Sequence, residues 1–233
     1  MPIKSAWKYA FILCIILIAF TACNRQPPTR ILFIGNSYTF FNGGLDKHLK
    51  GLASSVEAES IAVGGYSLEK HFSDASTLKK IREGKWNYVV LQEQSQIPVV
   101  GQSKFYEAVR HLDDEIRRSG AKTVLLMTWE RPDSVVNGVT TKGLADAYTT
   151  IGSEINAIVA PAGLAFANAM SKKPDYVLCS QDGHPTHSGT YLAVCVLYRS
   201  IFGLSPVGNG YVGGVTSPSW RKFFQQAAED THL

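Results

Sequence analysis

The sequence predicts a single α/β domain in which a mostly parallel, five-stranded sheet lies between two layers of helices. Three observations support this three-layer α/β/α sandwich. Apolar runs of strand length alternate with segments of helical spacing. Three of these runs are continuously apolar, which is typical of strands covered on both faces. The 233 residues contain 45% hydrophobic and 18% charged side chains, the composition of a globular domain.

Five strands follow one another along the chain. The continuous apolar runs are residues 31–34, 89–91 and 124–127, and the two further strands are predicted at 60–63 and 157–160. Apolar side chains recur at helical spacing between them, over residues 45–52, 105–116, 144–155 and 191–198. Strands that alternate with helices favour right-handed crossovers and therefore a parallel sheet.

The first 22 residues have the pattern of an export signal. Lys4 and Lys8 precede an apolar run over residues 10–20, and Thr21-Ala22-Cys23 follows it. Small residues before a cysteine resemble the bacterial lipobox, so residues 1–22 are predicted to be a lipoprotein signal peptide. The lipid would then be attached to Cys23. The apolar run is short for a membrane-spanning helix, and a retained N-terminal anchor is the alternative.

This division predicts where the mature protein lies. Residues 23–29 would form a lipidated tether and residues 30–233 a single domain, held through Cys23 at a membrane of the bacterial cell envelope, on its periplasmic or surface face. The chain has 23 Lys and Arg against 19 Asp and Glu, a net charge of +4, and its basic residues form no stripe or block. Nucleic acid is therefore excluded as a partner.

Two cysteines, Cys179 and Cys195, belong to the predicted mature domain. An exported compartment permits disulfides, so the two could pair, and two buried apolar thiols are the alternative. Neither cysteine has the CxxC spacing of a metal or redox site, and no HExxH pattern is present. The sequence thus predicts neither a metal nor another cofactor.

Four polar segments stand where the predicted strands or their connections end. Functional groups collect at the carboxyl ends of strands in open parallel sheets, so we expect these segments to meet. They are Gly35-Asn36-Ser37, Gly64-Gly65, Gln92-Glu93-Gln94-Ser95 and Asp182-Gly183-His184-Pro185.

Together the segments contain the parts that a nucleophilic serine needs. The hydroxyl of Ser37 requires a base, which His184 can supply, and Asp182 can fix the tautomer of that histidine. The backbone amide of Gly65 and the side-chain amide of Gln94 can donate hydrogen bonds to an oxyanion.

Each segment alone also has a plain structural interpretation. A Gly-Asn-Ser triplet is typical of a turn, and Asp-Gly before a histidine is another turn pattern. Ser67 is a candidate helix N-cap. Glu93 is interpreted as a solvated or capping carboxylate.

The order of the four segments resembles the SGNH/GDSL hydrolase superfamily, over residues 31–203. The resemblance implies the flavodoxin-like sandwich of that superfamily, with Ser37 as nucleophile and His184 as base. It also implies an oxyanion hole formed by the amides of Ser37 and Gly65 with the side chain of Gln94.

Three positions depart from the usual pattern of the superfamily. Asn36 replaces the aspartate beside the serine, and Gln94 replaces an asparagine. Asp182 precedes His184 by two residues instead of three, so either a tighter loop completes a triad or the site is a Ser-His dyad. His187 is the alternative base, although no proline follows it.

The resemblance implies a serine esterase, and export suggests a small-molecule or glycan ester as substrate, such as an O-acetyl or other short acyl group on a carbohydrate. A lipase or thioesterase acting on longer acyl chains, and an inactive glycan-binding envelope lipoprotein, are the alternatives. Tyr66, Trp129 and Arg131 lie near predicted strand ends, where they could line a substrate groove. Core packing or a solvated rim is the other interpretation of these three residues.

Overall fold

The computed structural model describes residues 27–233, so the predicted signal peptide and Cys23 lie outside the described residues. Five strands form one sheet in the spatial order β2-β1-β3-β4-β5, and all neighbouring strands are parallel. The predicted parallel five-stranded sheet is confirmed. The strands are β1 (Thr29–Gly35), β2 (Val56–Ala62), β3 (Tyr88–Leu91), β4 (Lys122–Leu126) and β5 (Ile158–Ala160).

Helices fill the connections between the strands and the C-terminal part of the chain. Two 3-10 turns, Phe41–Gly43 and Ser134–Asn137, accompany them. The α-helices are α1 (Ser37–Phe40), α2 (Leu45–Leu52), α3 (Leu68–Phe72), α4 (Ala75–Glu83), α5 (Ile97–Val100), α6 (Gln102–Arg118), α7 (Thr141–Glu154), α8 (Ala162–Lys172), α9 (His187–Phe202) and α10 (Pro218–Glu229).

Both faces of the sheet are covered, which gives the three-layer architecture. On β1, Ile31 and Phe33 pack into one core with α2, α8, α9 and α10, whereas Leu32 and Ile34 pack into a second core with α4, α6 and α7. All four side chains are at most 1% exposed. Burial of such a side chain contributes roughly 1.5–3 kcal/mol. The double burial explains why this strand is a continuous apolar run.

The second strand is longer than the sequence pattern predicts. Instead of residues 60–63 it spans Val56–Ala62, and it pairs only with β1 at the edge of the sheet. Its exposed Glu57 and Glu59 form ion pairs with Arg30 on β1, with N to O distances of 2.9 and 3.7 Å. Charged side chains on an edge strand discourage pairing with other chains, and they also weaken the apolar signal in the sequence.

Helices α4, α8 and α10 and the four-residue helices α1 and α5 were not among the predicted elements. The first residues of α10 carry a recognisable start signal, because Ser217 caps the helix and Pro218 occupies its first turn. Helix α8 is rich in small apolar residues, so its sequence lacks a clear polar face.

The cysteines and the described surface add further facts. Cys179 and Cys195 are both buried and free, so the alternative of two buried thiols is correct. Within residues 27–233 no helix is long and apolar enough to span a membrane. In the same range no group of three or more His, Cys, Asp or Glu side chains is arranged to hold a metal ion.

Candidate active site

Ser37 is the first residue of α1 and lies two residues after Gly35, the last residue of β1. Asn36 caps this helix, since its Oδ1 accepts a hydrogen bond from the N–H of Tyr38 at 3.1 Å. The first N–H groups of a helix have no partner within the helix. The backbone amide of Ser37 is therefore available on the same edge of the sheet as its hydroxyl.

The side chains of Ser37, His184 and Asp182 form a continuous chain of hydrogen bonds. His184 Nε2 lies 2.8 Å from Ser37 Oγ, and His184 Nδ1 lies 2.8 Å from Asp182 Oδ2. Because the carboxylate accepts a hydrogen bond from Nδ1–H, the ring proton is on Nδ1, and the unprotonated Nε2 accepts a hydrogen bond from the serine hydroxyl. Asp182 thus reaches the imidazole even though it precedes His184 by only two residues.

A tight loop makes this short spacing work. Asp182 Oδ1 accepts from the Ser180 hydroxyl at 2.5 Å and from the backbone N–H of His184 at 3.2 Å. Gly183, between them, has a φ of 85°, a conformation that glycine adopts without penalty. Hydrogen bonds from Ser180 and His184 hold the pKa of Asp182 well below its usual range, so the carboxylate is ionised near neutral pH.

Two aromatic side chains border the imidazole. The ring of Phe41 stacks on His184 with centroids 4.5 Å apart, and the ring of Tyr38 meets it edge-on at 5.6 Å. Such contacts restrict the imidazole to the orientation in which Nε2 faces Ser37.

Gly65 and Gln94 lie in the same small cavity as Ser37 and His184, with a volume of about 100 Å³. Gln94 Oε1 accepts hydrogen bonds from the N–H groups of Gln96 and Ile97, at 3.0 and 3.3 Å. These contacts fix which end of the amide is the oxygen, so the NH2 group is the end left to donate. Gly65 has a φ of 71° and is exposed, and its amide can approach a ligand closely.

The buried side-chain amides of Asn36 and Gln92 hydrogen-bond to each other beside Ser37. The supporting role of Gln92 was not predicted from the sequence. Gln92 Oε1 accepts from the N–H of Asn36 at 2.9 Å and from the hydroxyl of Thr39 at 2.8 Å, while its NH2 donates to Asn36 Oδ1 at 3.0 Å. Asn36 Nδ2 in turn donates to the carbonyl of Tyr66 at 2.9 Å. An aspartate could not make that donation, which explains the asparagine at this position.

Glu93 and His71 are buried polar groups beside the site. Glu93 is 1% exposed and accepts from backbone N–H groups, so it is a capping carboxylate and not a solvated one. Burial raises the pKa of Glu93 to about 7. His71 was not recognised from the sequence. Its Nε2 lies 2.7 Å from the carbonyl oxygen of Gly35, and burial lowers its pKa, which favours the neutral ring.

Trp129 does not line a groove, so its predicted substrate-binding role is wrong. The ring is 1% exposed and is sandwiched between Tyr38 and Phe166, at centroid distances of 4.8 and 4.3 Å. Its indole N–H donates to the carbonyl of Gly183 at 3.0 Å. The alternative of core packing is the correct one, because burial of so large an aromatic surface stabilises the core beneath the site.

The remaining sequence candidates occupy different places. Arg131 borders the cavity at Ser37, and its Nε donates to Asp133 Oδ1 at 2.8 Å. The ring of Tyr66 packs edge-on against His71, with centroids 5.2 Å apart. His187 begins α9, is exposed and lies against the loop at Gly214, so the hydrogen bond to Ser37 comes from His184.

A larger cavity of about 480 Å³ lies on the far side of Arg131. Helix α8 contributes Phe166 and Met170 to its wall, and the segment before Asp182 contributes Tyr176 and Val177. Because Arg131 borders both cavities, the larger one is next to the site at Ser37.

No protein-family model and no curated protein matches this sequence. Solved structures do match. A protein from Slackia heliotrinireducens grouped with the SGNH hydrolases is 26% identical, with a TM-score of 0.66 over 75% of this chain and 99% of that one.

Two further solved structures share the fold at lower identity. A DUF4886 family protein from Bacteroides uniformis is 18% identical, with a TM-score of 0.73 over 86% of this chain and 93% of that one. A catalytic mutant of an acetylxylan esterase from Geobacillus stearothermophilus is 13% identical, with a TM-score of 0.57 over 78% of this chain and 95% of that one.

Proposed function

Because the chain belongs to the SGNH/GDSL hydrolase superfamily, we propose that it is a serine esterase that forms an acyl-enzyme on Ser37. The observation that carries this proposal is the hydrogen-bonded chain from Asp182 through His184 to Ser37. Nucleophile, base and orienting carboxylate stand in contact, which is the arrangement that serine nucleophiles require.

In the acylation step, His184 Nε2 takes the proton of the Ser37 hydroxyl while Oγ attacks the ester carbonyl. The negative charge that develops on the carbonyl oxygen is stabilised by the backbone amides of Ser37 and Gly65 and by the Gln94 NH2 group. The protonated His184 then gives its proton to the departing alcohol oxygen, and the acyl group stays on Ser37. Asp182 stabilises the imidazolium that exists between these two transfers.

In the deacylation step, water replaces the alcohol. His184 takes a proton from the water as its oxygen attacks the acyl carbonyl, and the same three donors hold the oxyanion. Collapse of this second intermediate releases the carboxylic acid and returns the proton to Ser37.

We infer a short acyl group, such as acetyl, carried by a carbohydrate. The cavity at Ser37 has a volume of only about 100 Å³, which suits a small acyl group better than a long chain. One structural relative is an acetylxylan esterase. The predicted export and the lipid on Cys23 would place the enzyme at the bacterial cell envelope, where such glycan esters are accessible.

The larger cavity favours a second candidate function, hydrolysis of esters or thioesters with longer acyl chains. Its wall includes the apolar side chains of Phe166, Met170 and Val177, which would cover a hydrocarbon chain. This candidate uses the same catalytic residues and differs only in the substrate that reaches them.

Substitution of the nucleophile tests the proposal. Ser37→Ala should lower turnover of p-nitrophenyl acetate by more than about a thousandfold, because no hydroxyl remains to form the acyl-enzyme. Covalent labelling by a fluorophosphonate probe should disappear as well. Labelling by gel fluorescence and turnover by absorbance are the measurements.

The control is Ser103→Ala, at an exposed serine on α6, a helix that contributes no residue to the cavity at Ser37. It should label and turn over like the unsubstituted protein. A Ser37→Ala variant that keeps full labelling and turnover would exclude this nucleophile, and an unsubstituted protein that neither labels nor turns over esters would favour the glycan-binding alternative.

A further inference from the structure

Glu93 stands between the two chain segments that supply the proposed oxyanion donors. Its Oε1 accepts from the backbone N–H of Gln94 at 2.6 Å and from that of Leu68 at 3.1 Å, and its Oε2 lies 3.3 Å from the same Leu68 nitrogen. Gln94 is one of the three proposed oxyanion donors, and Leu68 follows a second one, Gly65, by three residues. One carboxylate therefore connects the two donor segments.

Helix α3, which begins at Leu68, also contacts the segment that precedes Ser37. His71 on α3 contacts the carbonyl oxygen of Gly35 through Nε2 at 2.7 Å, two residues before Ser37. Helix α3 is thus anchored to the end of β1 through His71 and to the end of β3 through Glu93. These two anchors set the distance between the loop that contains Gly65 and the segments that carry Ser37 and Gln94.

Burial of a carboxylate between two loops costs desolvation free energy. Glu93 is 1% exposed, and desolvation of the charged form is the largest influence on its pKa, with the nearby Glu69 adding repulsion. A carboxyl group that loses its hydration on folding destabilises the folded state unless its hydrogen bonds compensate for that loss. Stability alone therefore does not account for Glu93 at this position, whereas its contacts with both donor segments do.

We propose that Glu93 is a positioning residue for the oxyanion hole, which holds the Gly65 loop and Gln94 at the separation needed for both to donate to one oxygen. This inference rests on the proposed function of Ser37. Among residues 27–233, the hydrogen bonds that this carboxylate accepts come from the backbone N–H groups of Leu68 and Gln94 alone, so it acts through the donors and not on the substrate.

Two substitutions test the inference. Glu93→Gln keeps the size and one acceptor oxygen but replaces the second oxygen with a donor that faces the Leu68 N–H, and Glu93→Ala removes both acceptors. Misplaced oxyanion donors stabilise the transition state less well, while binding of the ester changes little. The kcat for p-nitrophenyl acetate should therefore fall roughly 10-fold in Glu93→Gln and roughly 100-fold in Glu93→Ala. KM should change by less than about twofold.

The measurements separate positioning from simple unfolding. Fluorophosphonate titration gives the concentration of competent Ser37 sites, and kcat is calculated per titrated site. Glu83→Gln, at an exposed carboxylate on the neighbouring helix α4, is the matched control and should leave kcat unchanged. If Glu93→Ala does not fold, Glu93→Gln still decides the question.

A double-substitution cycle gives a readout that a merely structural role would not change. If Glu93 acts through Gln94, the kcat penalty of Glu93→Gln should shrink at least about threefold in a Gln94→Ala background. Unchanged kcat per site in Glu93→Gln, or a penalty equal in both backgrounds with KM rising in parallel, would overturn the inference. An unsubstituted protein that neither reacts with the fluorophosphonate probe nor hydrolyses the ester would instead overturn the proposed function of Ser37.

Discussion

At the scale of single residues, the site depends on which nitrogen of His184 carries a proton. The ionised Asp182 accepts from Nδ1, so Nε2 faces the Ser37 hydroxyl as an acceptor. The same carboxylate is largely exposed to solvent, with 66% of its side-chain surface accessible. Its contribution therefore comes from direct contact with the imidazole and is open to screening by water.

Asp182→Asn tests whether the enzyme uses a triad or a dyad. The NH2 group of the new asparagine would donate a hydrogen bond to Nδ1, so the ring proton would be on Nε2. A protonated Nε2 cannot accept a hydrogen bond from the Ser37 hydroxyl. We expect kcat for p-nitrophenyl acetate to fall by about a hundredfold or more while the melting temperature changes little. Asp175→Asn, at an exposed aspartate earlier in the same segment, is the control. Full activity in Asp182→Asn would mean that Ser37 and His184 act as a dyad.

The candidate catalytic residues were easier to predict from the sequence than the residues that hold them in place by hydrogen bonds. Ser37, His184 and Asp182 stand out because their chemistry is rare in combination and each follows a recognisable break in the chain. Gln92 and His71 were missed because their partners are the Asn36 amide and the Gly35 carbonyl, distant in sequence and unreadable from local pattern. Trp129 was misjudged for the related reason that an aromatic residue after a strand can face the core as readily as a groove.

At the scale of elements, the loop from Ser180 to Thr186 positions His184, the proposed base. Its turn depends on Gly183, because a Cβ at that residue would collide with Tyr38 Oη and with the side chain of Arg131. Spacing alone left open whether a two-residue separation of Asp182 and His184 could work. Backbone conformation at Gly183, which the sequence does not specify, is what permits it.

Gly183→Ala should therefore disturb catalysis more than folding. The loop must shift to relieve the collision, and His184 shifts with it, so kcat for p-nitrophenyl acetate should fall at least about tenfold. Gly120→Ala is a matched control, since Gly120 has a similar φ of 83° but an added Cβ meets open space. Both variants should lose roughly 1 kcal/mol of unfolding free energy from the left-handed backbone, and only Gly183→Ala should lose activity. Equal activity in the two would contradict this account of the loop.

At the scale of the whole molecule, the parallel sheet brings the active segments together. Because all five strands run in one direction, the residues after β1, β2 and β3 emerge at the same edge. Continuous apolar runs made this architecture predictable, since only doubly covered strands are apolar on both faces. The full extent of edge strand β2 was less predictable, because half of its residues face solvent and its charged positions obscure the pattern.

The two cavities that Arg131 borders predict opposite substrate preferences, and a series of esters with acyl chains of different length distinguishes them. We expect kcat/KM for p-nitrophenyl acetate to exceed that for p-nitrophenyl octanoate by roughly tenfold, because the cavity at Ser37 is small. Met170→Trp, which would fill part of the larger cavity, should leave acetate hydrolysis unchanged. A preference for octanoate that Met170→Trp abolishes would support the longer acyl chain instead.

The position of Trp129 makes its fluorescence a probe of ligand binding at the neighbouring cavities. The indole stacks on Tyr38, which follows the proposed nucleophile Ser37, and on Phe166 in the wall of the larger cavity. Its N–H donates a hydrogen bond to the carbonyl of Gly183. A ligand that displaces the loop from Ser180 to Thr186 would change the hydrogen bond of this indole. Its emission spectrum would then register binding in real time, without an attached dye.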